Sequence, residues 1–504
     1  MTDHEKRSPI VAVNSLALAV SISLWFLAIR APLDLDETGS FWQIGAGFMK
    51  IWSRDRSSLS FPAYAYILWF WTKLFGTGEI ALRALSVVAM LGAVLLLYRA
   101  AREMFDRDTA LFAAVIFSLH PIVVFASIDV RPYAFGALAI NAAIFVLIRL
   151  RHNDSNWLAA LYGLLAASIV WFQYLFAVIL PVLLLLLFAL KAGSRRAMWR
   201  QSGIALAAFT LAMLPAIPGL LHMFRTRQSH VYESAPNLYA LVVTLSPGWI
   251  FAVFLLAIPA SLLFSVFRKR RNAAQNHAEG WKILVCLCLG LIPILILYGV
   301  SVGTSIHMFA ERHRLVSAPG IALCWALIYS RLQSRAIRAL LCVVIVAIGA
   351  SYFLKAPDRG DHMGTWKYAL EFVQKNASVD NAPVLMCSGY TESNYEPLPP
   401  PGSVKESTLF SQLLYYKISV PVIPLPQLLN NEARDHGSQF LEQATLKHER
   451  FLAMGHTLSY PILDWLRQQA SAGFTVRTLG VVDGFEILEF SPRDGQSEAQ
   501  PESK

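Results

Sequence analysis

The chain has 504 residues, of which 56% are hydrophobic and 15% are charged, and its formal net charge at pH 7 is +10. This composition excludes an ordinary soluble protein of this length and is typical of a multi-pass membrane protein. The positive charge does not indicate a nucleic-acid partner, because the basic residues cluster in short connectors between apolar runs, as the positive-inside rule describes. Four of the five cysteines lie inside apolar runs, so neither a disulfide framework nor a thiolate metal site is indicated.

The first apolar run, Ile10 to about Leu27, follows basic charge and has roughly the 20 residues that a spanning helix needs. A cleavable signal peptide is the alternative interpretation, but "FLAIRAPLD" is a poor cleavage site and more apolar runs follow. Placing the basic connectors in the cytoplasm predicts eleven spans, with the N-terminus inside and the C-terminus outside. The approximate spans are 10–29, 80–99, 109–127, 132–150, 157–173, 175–190, 202–221, 249–267, 282–300, 314–331 and 337–354.

The first outer loop, about residues 30–79, contains an apolar and aromatic segment at 61–76 that is short for a span. Counting it as a span would invert the later basic loops, so we expect it to lie at the interface or to be re-entrant. Its aromatic residues favour an interfacial belt, and the alternative is that they line a groove for a polyprenyl tail or a lipid acceptor. These residues are Phe61, Tyr64, Tyr66, Trp69, Phe70 and Trp71. The outer loop 222–239 is the predicted mobile cover of such a groove.

The chain after Lys355 contains no run long enough to span a membrane, which predicts a membrane domain at 1–355 and a soluble α/β domain at 356–490 on the outer side. The last residues, 491–504, are polar and are predicted to be disordered. An Asp-Gly pair between β-rich flanks in "VVDGFEILEF" predicts a hairpin. The predicted helices of this domain are 365–375, 409–416 and 462–472, and the predicted strands are 383–386, 475–479 and 485–490.

Charged residues gather at the predicted outer ends of the spans. A lone carboxylate at an interface is usually a solvated loop residue, but Asp34, Asp36 and Glu37 form a cluster, in which like charges raise each other's pKa unless a cation or a metal neutralises them. Asp129 lies two residues before Arg131, where a helix N-terminus alone would also favour an acid. The outer segment "ERHR" (311–314) opposes the positive-inside tendency, and a phosphate ligand explains it better.

Four stretches appear in order: "LDLDETGSFW", "FPAYAYILWFWTKLFGTGEIALRALSVV", "FASIDVRPYAFGAL" and "ERHRLVSAPGIAL". Together they resemble the GT-C membrane glycosyltransferases, in the branch of the protein O-mannosyltransferases, the lipid A aminoarabinose transferase and the rhizobial lipopolysaccharide galacturonosyltransferases. The resemblance covers about residues 30–330. It implies a mainly α-helical polytopic GT-C fold with a C-terminal α/β domain, in a bacterial inner membrane, with the active site and that domain facing the periplasm.

The resemblance also implies an activity and a set of residues for it. The activity is transfer of a sugar from a polyprenyl-phosphate donor to an acceptor on a lipid, a glycan or a protein, with inversion at the anomeric carbon. Asp36 is the implied catalytic base, assisted by Glu37 or Asp129. A divalent cation, Mg²⁺ or Mn²⁺, is compatible with the family, and Asp36 and Asp129 would be its ligands. The implied donor-phosphate contacts are Arg131, Tyr133, Arg312, His313 and Arg314.

Some residues depart from the family pattern, and two other functions stay open. The segment "RHRLVSAP" places His313 where the family commonly has Tyr, which leaves the phosphate contacts open between Arg312 and Arg314. The first alternative function is a transporter or flippase for a lipid-linked or anionic solute. Such proteins usually place their charges near the membrane midplane on broken helices within inverted repeats. The second is a membrane-anchored binding protein whose functional part is the C-terminal domain.

Overall fold

The computed structural model describes residues 9–58, 62–190, 195–225, 235–245, 273–305, 307–355 and 366–493. The chain forms two compact units, one from residues 1–31 and 47–360 and the other from residues 32–46 and 361–504. Residues 32–46 thus group with the C-terminal part, whereas the sequence placed the whole first outer loop in the membrane domain. Because of this grouping, Asp34, Asp36 and Glu37 belong to the second unit.

The regular secondary structure of the first unit is entirely helical in the part that the structure describes. Its α-helices are Pro9–Ser23, Phe48–Ser58, Pro62–Phe75, Glu79–Met104, Arg107–Leu119, Pro121–Ser127, Tyr133–His152, Asn156–Phe172, Leu180–Leu190, Arg195–Met213, Ile217–Arg225, Leu238–Leu245, Ala273–Gly303, Glu311–Arg314, Ala318–Arg331 and Arg335–Lys355. Short 3₁₀ helices are Leu24–Ala28, Tyr174–Ile179, Leu214–Ala216 and Leu315–Ser317.

Six helices in the described part of the chain are long and apolar enough to cross a membrane, and a seventh span arises if one bent pair is counted. That pair, Arg107–Leu119 and Pro121–Ser127, bends by 72°. The six are Pro9–Ala28, Glu79–Met104, Tyr133–His152, Arg195–His222, Gly280–Gly303 and Arg335–Lys355. The predicted multi-pass character is confirmed, but the predicted count of eleven is not.

The difference in count has a local physical cause. The apolar segments Asn156–Phe172 and Tyr174–Leu190 form helices too short to pass as spans by themselves. The predicted span 314–331 is interrupted by the 3₁₀ turn Leu315–Ser317, which leaves 14 residues of α-helix. The predicted span 249–267 lies outside the described residues. The segment predicted to be interfacial forms the helix Pro62–Phe75.

Close packing of the helices in the first unit relies on small residues. A Cβ atom on Gly320 would lie 2.2 Å from the backbone of Gly290, so the two helices that carry these glycines approach backbone to backbone. Such contacts between small residues are the usual means by which membrane helices associate. The segment after the 3₁₀ helix Leu24–Ala28 is fixed differently, by the fully buried Arg83, whose guanidinium donates to the carbonyl oxygens of Ile29 and Ala31.

The second unit contains a five-stranded sheet. Its strands are β1 (Val384–Cys387), β2 (Val422–Leu425), β3 (Phe451–His456), β4 (Phe474–Val482) and β5 (Phe485–Pro492), in the order β2-β1-β3-β5-β4. β1 is parallel to β2 and β3, while β5 is antiparallel to β3 and β4. The predicted Asp-Gly hairpin joins β4 and β5, and both Asp483 (φ 47°) and Gly484 (φ 81°) adopt the positive φ that a type I′ turn requires.

Helices cover both faces of this sheet. The α-helices of the unit are Leu35–Gly45, Trp366–Ala377, Gln412–Tyr415, Asn431–Lys447 and Tyr460–Ala470, and its 3₁₀ helices are Thr391–Asn394, Pro401–Glu406, Thr408–Phe410 and Thr457–Ser459. Val384 and Met386 of β1 point to a core that includes Leu35 and Trp366. The alternate β1 residues Leu385 and Cys387 point to a second core, built with Ile462 and Leu466. The predicted helical fold with a C-terminal α/β unit is therefore confirmed.

Candidate functional site

The acidic cluster of the first outer loop begins a helix of the second unit, Leu35–Gly45. Asp34 is the N-cap of this helix, and its Oδ1 accepts a hydrogen bond from the Glu37 backbone N–H at 2.7 Å. The Glu37 carboxylate forms the reciprocal hydrogen bond, in which its Oε2 accepts from the Asp34 backbone N–H at 3.0 Å. The two acids thus form a capping box, which fixes the first turn of the helix.

The capping box separates the three acids in a way that the sequence interpretation did not. Glu37 is fully buried, and its carboxylate is held by the capping interaction. Asp34, which the resemblance left without a role, has a structural one. Asp36 lies between them in the first turn and is only partly buried. The Asp-x-x-Glu spacing is itself a sequence signal for this cap, so the role of Asp34 could have been predicted.

Asp129 and Arg131 lie in the first unit, in the turn between the helices Pro121–Ser127 and Tyr133–His152. Asp129 is 2% exposed, and its backbone carbonyl accepts a hydrogen bond from the Ser86 hydroxyl. The Arg131 guanidinium lies 5.9 Å from the centre of the Tyr133 ring, within the range of a cation–π interaction. A buried acid and a basic residue are thus held on one short turn.

The segment 308–314 brings a second set of basic residues into the first unit. The Arg314 guanidinium donates to the Thr244 hydroxyl at 2.5 Å, forms an ion pair with Glu311 at 3.1 Å, and lies 5.2 Å from the Phe309 ring centre. Arg314 is 8% exposed. Its several partners and its burial fix the planar guanidinium in one orientation, as bidentate binding of a phosphate or a carboxylate requires.

His313 shows that the two sets of basic residues lie close together. Its Nδ1–H donates to the Met308 carbonyl at 3.0 Å. Burial, together with the charges of Arg312, Arg131 and Arg314, lowers the pKa of His313 to about 3, although the hydrogen bond to Met308 acts in the opposite direction. His313 is therefore neutral at physiological pH. We call Arg131, Arg312 and Arg314 the arginine cluster.

Two further residues of the first unit lie near this cluster, and the sequence interpretation did not select either of them. Tyr174 interacts electrostatically with Arg131, Arg312 and Tyr133. His120 is 3% exposed, lies at the 72° helix break and interacts electrostatically with Arg314. Neither of its ring nitrogens has a hydrogen-bond partner among the described residues. A histidine within an apolar run is the sequence signal that could have found it.

Several predictions for the site stay predictions. Asp36 and Glu37 belong to the second unit, whereas Asp129 and the arginine cluster belong to the first. Within the described ranges, no three His, Cys, Asp or Glu side chains are arranged to hold a metal ion. The aromatic segment contributes Tyr66, Trp69 and Phe70 to a group of rings around Phe48. The predicted mobile cover, 222–239, and the predicted disordered tail, 491–504, lie partly outside the described residues.

Comparison with known proteins supports the predicted resemblance over part of the chain. Residues 59–222 match the family described as "Dolichyl-phosphate-mannose-protein mannosyltransferase". This range includes the Asp129–Tyr133 turn and excludes both the 35–45 helix and the segment 308–314. A search of curated protein sequences finds no significant match.

The chain is also similar to several solved structures. ArnT from Cupriavidus metallidurans, bound to undecaprenyl phosphate, is 13% identical, with 94% of this chain and 97% of that chain covered and a TM-score of 0.49. The Archaeoglobus fulgidus oligosaccharyltransferase in its apo form is 12% identical, with 97% and 75% covered and a TM-score of 0.49. A second structure of that oligosaccharyltransferase, in complex with Zn and sulfate, is 14% identical, with 94% and 73% covered and a TM-score of 0.47.

Proposed function

We propose that the protein is an inverting glycosyltransferase that moves a sugar from a polyprenyl-phosphate carrier to an acceptor hydroxyl at the outer side of a bacterial inner membrane. The observation that carries the proposal is the arginine cluster around neutral His313. Its Arg131 lies in the range that matches a family whose printed name specifies a dolichyl-phosphate sugar donor. Three guanidinium groups beside a neutral histidine suit a phosphate that gains charge as the sugar leaves.

The reaction needs a base as well as a phosphate site. In the proposed single displacement, the Asp36 carboxylate takes the proton of the acceptor hydroxyl, and the hydroxyl oxygen forms a bond to the anomeric carbon. The bond from that carbon to the phosphate oxygen breaks, and its electron pair stays on the released polyprenyl phosphate. A positioned base contributes about 10²- to 10⁴-fold to such a step. Asp36 suits this role better than Glu37, because the Glu37 carboxylate is buried in the capping box.

The other predicted site residues take supporting roles. Arg131, Arg312 and Arg314 would bind the donor phosphate and neutralise the charge that develops on it, with Tyr133 and His313 completing the wall of the cluster. Neutral His313 adds no charge, and as a buried side chain beside the arginines it would limit the access of water to them, which strengthens their interaction with an anion. Asp129, buried two residues before Arg131, would orient that arginine.

A divalent cation has a limited place in the proposal. Mg²⁺ commonly keeps several waters and is held by one or two carboxylates together with phosphate oxygens. The predicted ligands are Asp36 and Asp129, and either carboxylate together with a bound donor phosphate would hold such an ion, which would supply neutralisation of the leaving phosphate. Every step above is assigned to the side chains of the protein.

The proposal is tested with Asp36→Asn and, as a matched control, Asp34→Asn two residues earlier. A deletion strain is complemented with each variant, and envelope lipids and glycans are analysed by mass spectrometry. Asp36→Asn should abolish the mass that the wild-type gene restores. Asp34→Asn should restore it, because asparagine is an equally good N-cap. Normal transfer by Asp36→Asn would refute the assignment of the base, and an envelope unchanged by the deletion would refute the proposed function.

One structural feature also fits the alternative of a transporter or flippase. The break at His120 divides an apolar helix pair, and broken helices with buried polar groups are typical of transporters. The two functions predict different chemistry, since a transporter would leave the sugar on its carrier. Accumulation of an intact lipid-linked sugar in the deletion strain, with no covalent transfer by the purified protein, would favour transport.

A further inference from the structure

The 35–45 helix is anchored on the C-terminal sheet unit by tyrosine hydroxyls. The Tyr390 hydroxyl donates to the carbonyl oxygen of Leu35 at 2.8 Å. The Tyr416 hydroxyl accepts from the backbone N–H of Leu33 at 2.6 Å and lies 3.3 Å from the Leu33 carbonyl oxygen, to which it donates. Both tyrosines thus bind backbone atoms within three residues of Asp36.

A small hydroxyl network extends the Tyr390 contact. The Thr38 hydroxyl donates to the same Leu35 carbonyl at 2.7 Å, and Ser411 Oγ lies 3.0 Å from the Tyr390 hydroxyl and 3.1 Å from Thr38 Oγ1. The Tyr390 and Thr38 hydroxyls both donate to the Leu35 carbonyl, so in the two remaining contacts the Ser411 hydroxyl is the donor, to either the Tyr390 or the Thr38 oxygen. Buried networks of this kind hold their members in one relative geometry.

The helix has no side chain at the position where the Tyr390 hydroxyl approaches it. A Cβ atom on Gly39 would lie 2.8 Å from the Tyr390 hydroxyl oxygen, closer than such atoms approach in proteins. Gly39 lies one helical turn after Leu35 and so shares its face. A glycine at this position lets the Tyr390 hydroxyl reach the Leu35 carbonyl without displacing the helix.

Further contacts hold the rest of the helix. The Trp42 indole N–H donates to the Glu406 carbonyl at 3.1 Å, and the Phe41 ring meets the Tyr415 ring edge-on, with centres 5.0 Å apart. Leu35 itself is 3% exposed and belongs to the core that covers one face of the sheet. The helix is thus fixed along its length, while Asp36, next to Leu35, remains partly exposed.

We propose that Tyr390 is a positioning residue for Asp36, because its hydroxyl, which contacts Ser411, fixes the helical turn that carries the carboxylate. The inference rests on the proposed function, in which Asp36 is the base. A base works only when it is held within hydrogen-bond reach of the proton it removes. Small displacements of a reacting group can lower a rate by about 100-fold. The C-terminal unit then contributes directly to catalysis through the helix it holds.

The test compares Tyr390→Phe with Tyr460→Phe, a matched control in the same unit, whose hydroxyl donates to the Gly484 carbonyl beside the hairpin turn. Purified protein is assayed with the total lipid extract of the host membranes as the donor source, and its melting temperature is recorded. Tyr390→Phe should lower kcat about 10- to 100-fold while the apparent KM for the extract changes less than about twofold. Tyr460→Phe should leave kcat within about twofold of the wild type.

A double variant shows whether Tyr390 acts through Asp36. Asp36→Glu keeps a carboxylate but displaces it by one methylene, so we expect low but measurable transfer. Tyr390→Phe should lower kcat by less than about threefold further in that background. If Tyr390→Phe fails to fold, Gly39→Ala perturbs the same contact from the helix side, and it should lower kcat similarly.

The outcomes separate this inference from the proposed function. Normal transfer by Asp36→Glu and Asp36→Asn would refute the base, and the positioning role with it. Loss of transfer in the Asp36 variants with an unchanged kcat in Tyr390→Phe would refute the positioning role alone. An equal and full effect of Tyr390→Phe in both backgrounds, or an equal loss in Tyr460→Phe, would likewise refute it.

Discussion

Removing the N-cap of the 35–45 helix should weaken the second unit and the base together. In Asp34→Ala the Glu37 backbone N–H loses its acceptor at 2.7 Å, whereas the Glu37 carboxylate keeps its contact with the Asp34 N–H. Loss of such a cap costs about 1 kcal/mol. For a unit of roughly 160 residues, this corresponds to a fall of about 2–4 °C in melting temperature.

The same loss should reduce transfer, because Asp36 lies in the turn that the cap fixes. A cost of about 1 kcal/mol corresponds to about a fivefold change in the population of the capped turn. We therefore expect transfer by Asp34→Ala to fall up to about fivefold, and transfer by Asp34→Asn to stay within about twofold. Scanning fluorimetry in detergent gives the melting temperature, and the assay with host lipid extract gives the rate. Equal losses in the two variants, or loss of transfer by Asp34→Asn at an unchanged melting temperature, would show that the Asp34 charge matters rather than its cap.

Two further predictions concern stability. His313 has a folded-state pKa of about 3, below its usual value near 6.5, so between these values only the unfolded chain takes up the proton and stability falls as the pH is lowered. The loss of unfolding free energy is at most about 1.4 kcal/mol per pH unit. In a melting experiment, His313→Gln should therefore lose less stability than the wild type between pH 7.5 and pH 5.0. An identical loss in both proteins would contradict the assignment of His313 as neutral. Gly484→Ala should destabilise the second unit by roughly 1–2 kcal/mol, because alanine is strained at φ 81°. Limited proteolysis should detect this change as faster cleavage. The control Asp483→Asn keeps a residue tolerant of positive φ and should behave like the wild type.

Local patterns predicted much of the fold. Apolar runs located the helices of the first unit, and the Asp483–Gly484 pair predicted the β4–β5 hairpin. The lengths of the helices were harder to predict, since breaks such as the one at His120 divide an apolar run without changing its composition. The strands β2 and β3 were missed. β2 contains Pro424, which is tolerated there because β2 is an edge strand, and a short buried strand such as β3 cannot be told from a helix by its period.

In the candidate site, too, local features were predictable from the sequence and contacts between distant residues were not. The spacing of Asp34 and Glu37 contained the signal for their capping box. The contacts that hold the helix join residues more than 350 positions apart, such as Leu35 and Tyr390, and no local pattern reports a partner at that distance. The proximity of Arg131 to Arg312 and His313 likewise depends on helix packing. The residue types were therefore enough to select the charged candidates, whereas only the fold shows which of them lie close together.

The two-part construction of the second unit also sets an order of events during synthesis. Residues 32–46 leave the ribosome before the sheet that covers Leu35, which is made of residues 384–492. At about 5–20 residues per second, the intervening 47–360 segment takes roughly 15–60 s to translate. Throughout this interval the turn that bears Asp36 lacks the surface that holds it. The proposed base therefore reaches its working geometry only after the strands of the sheet have been made and have closed over Leu35, so transfer would begin only after residue 492 has been translated.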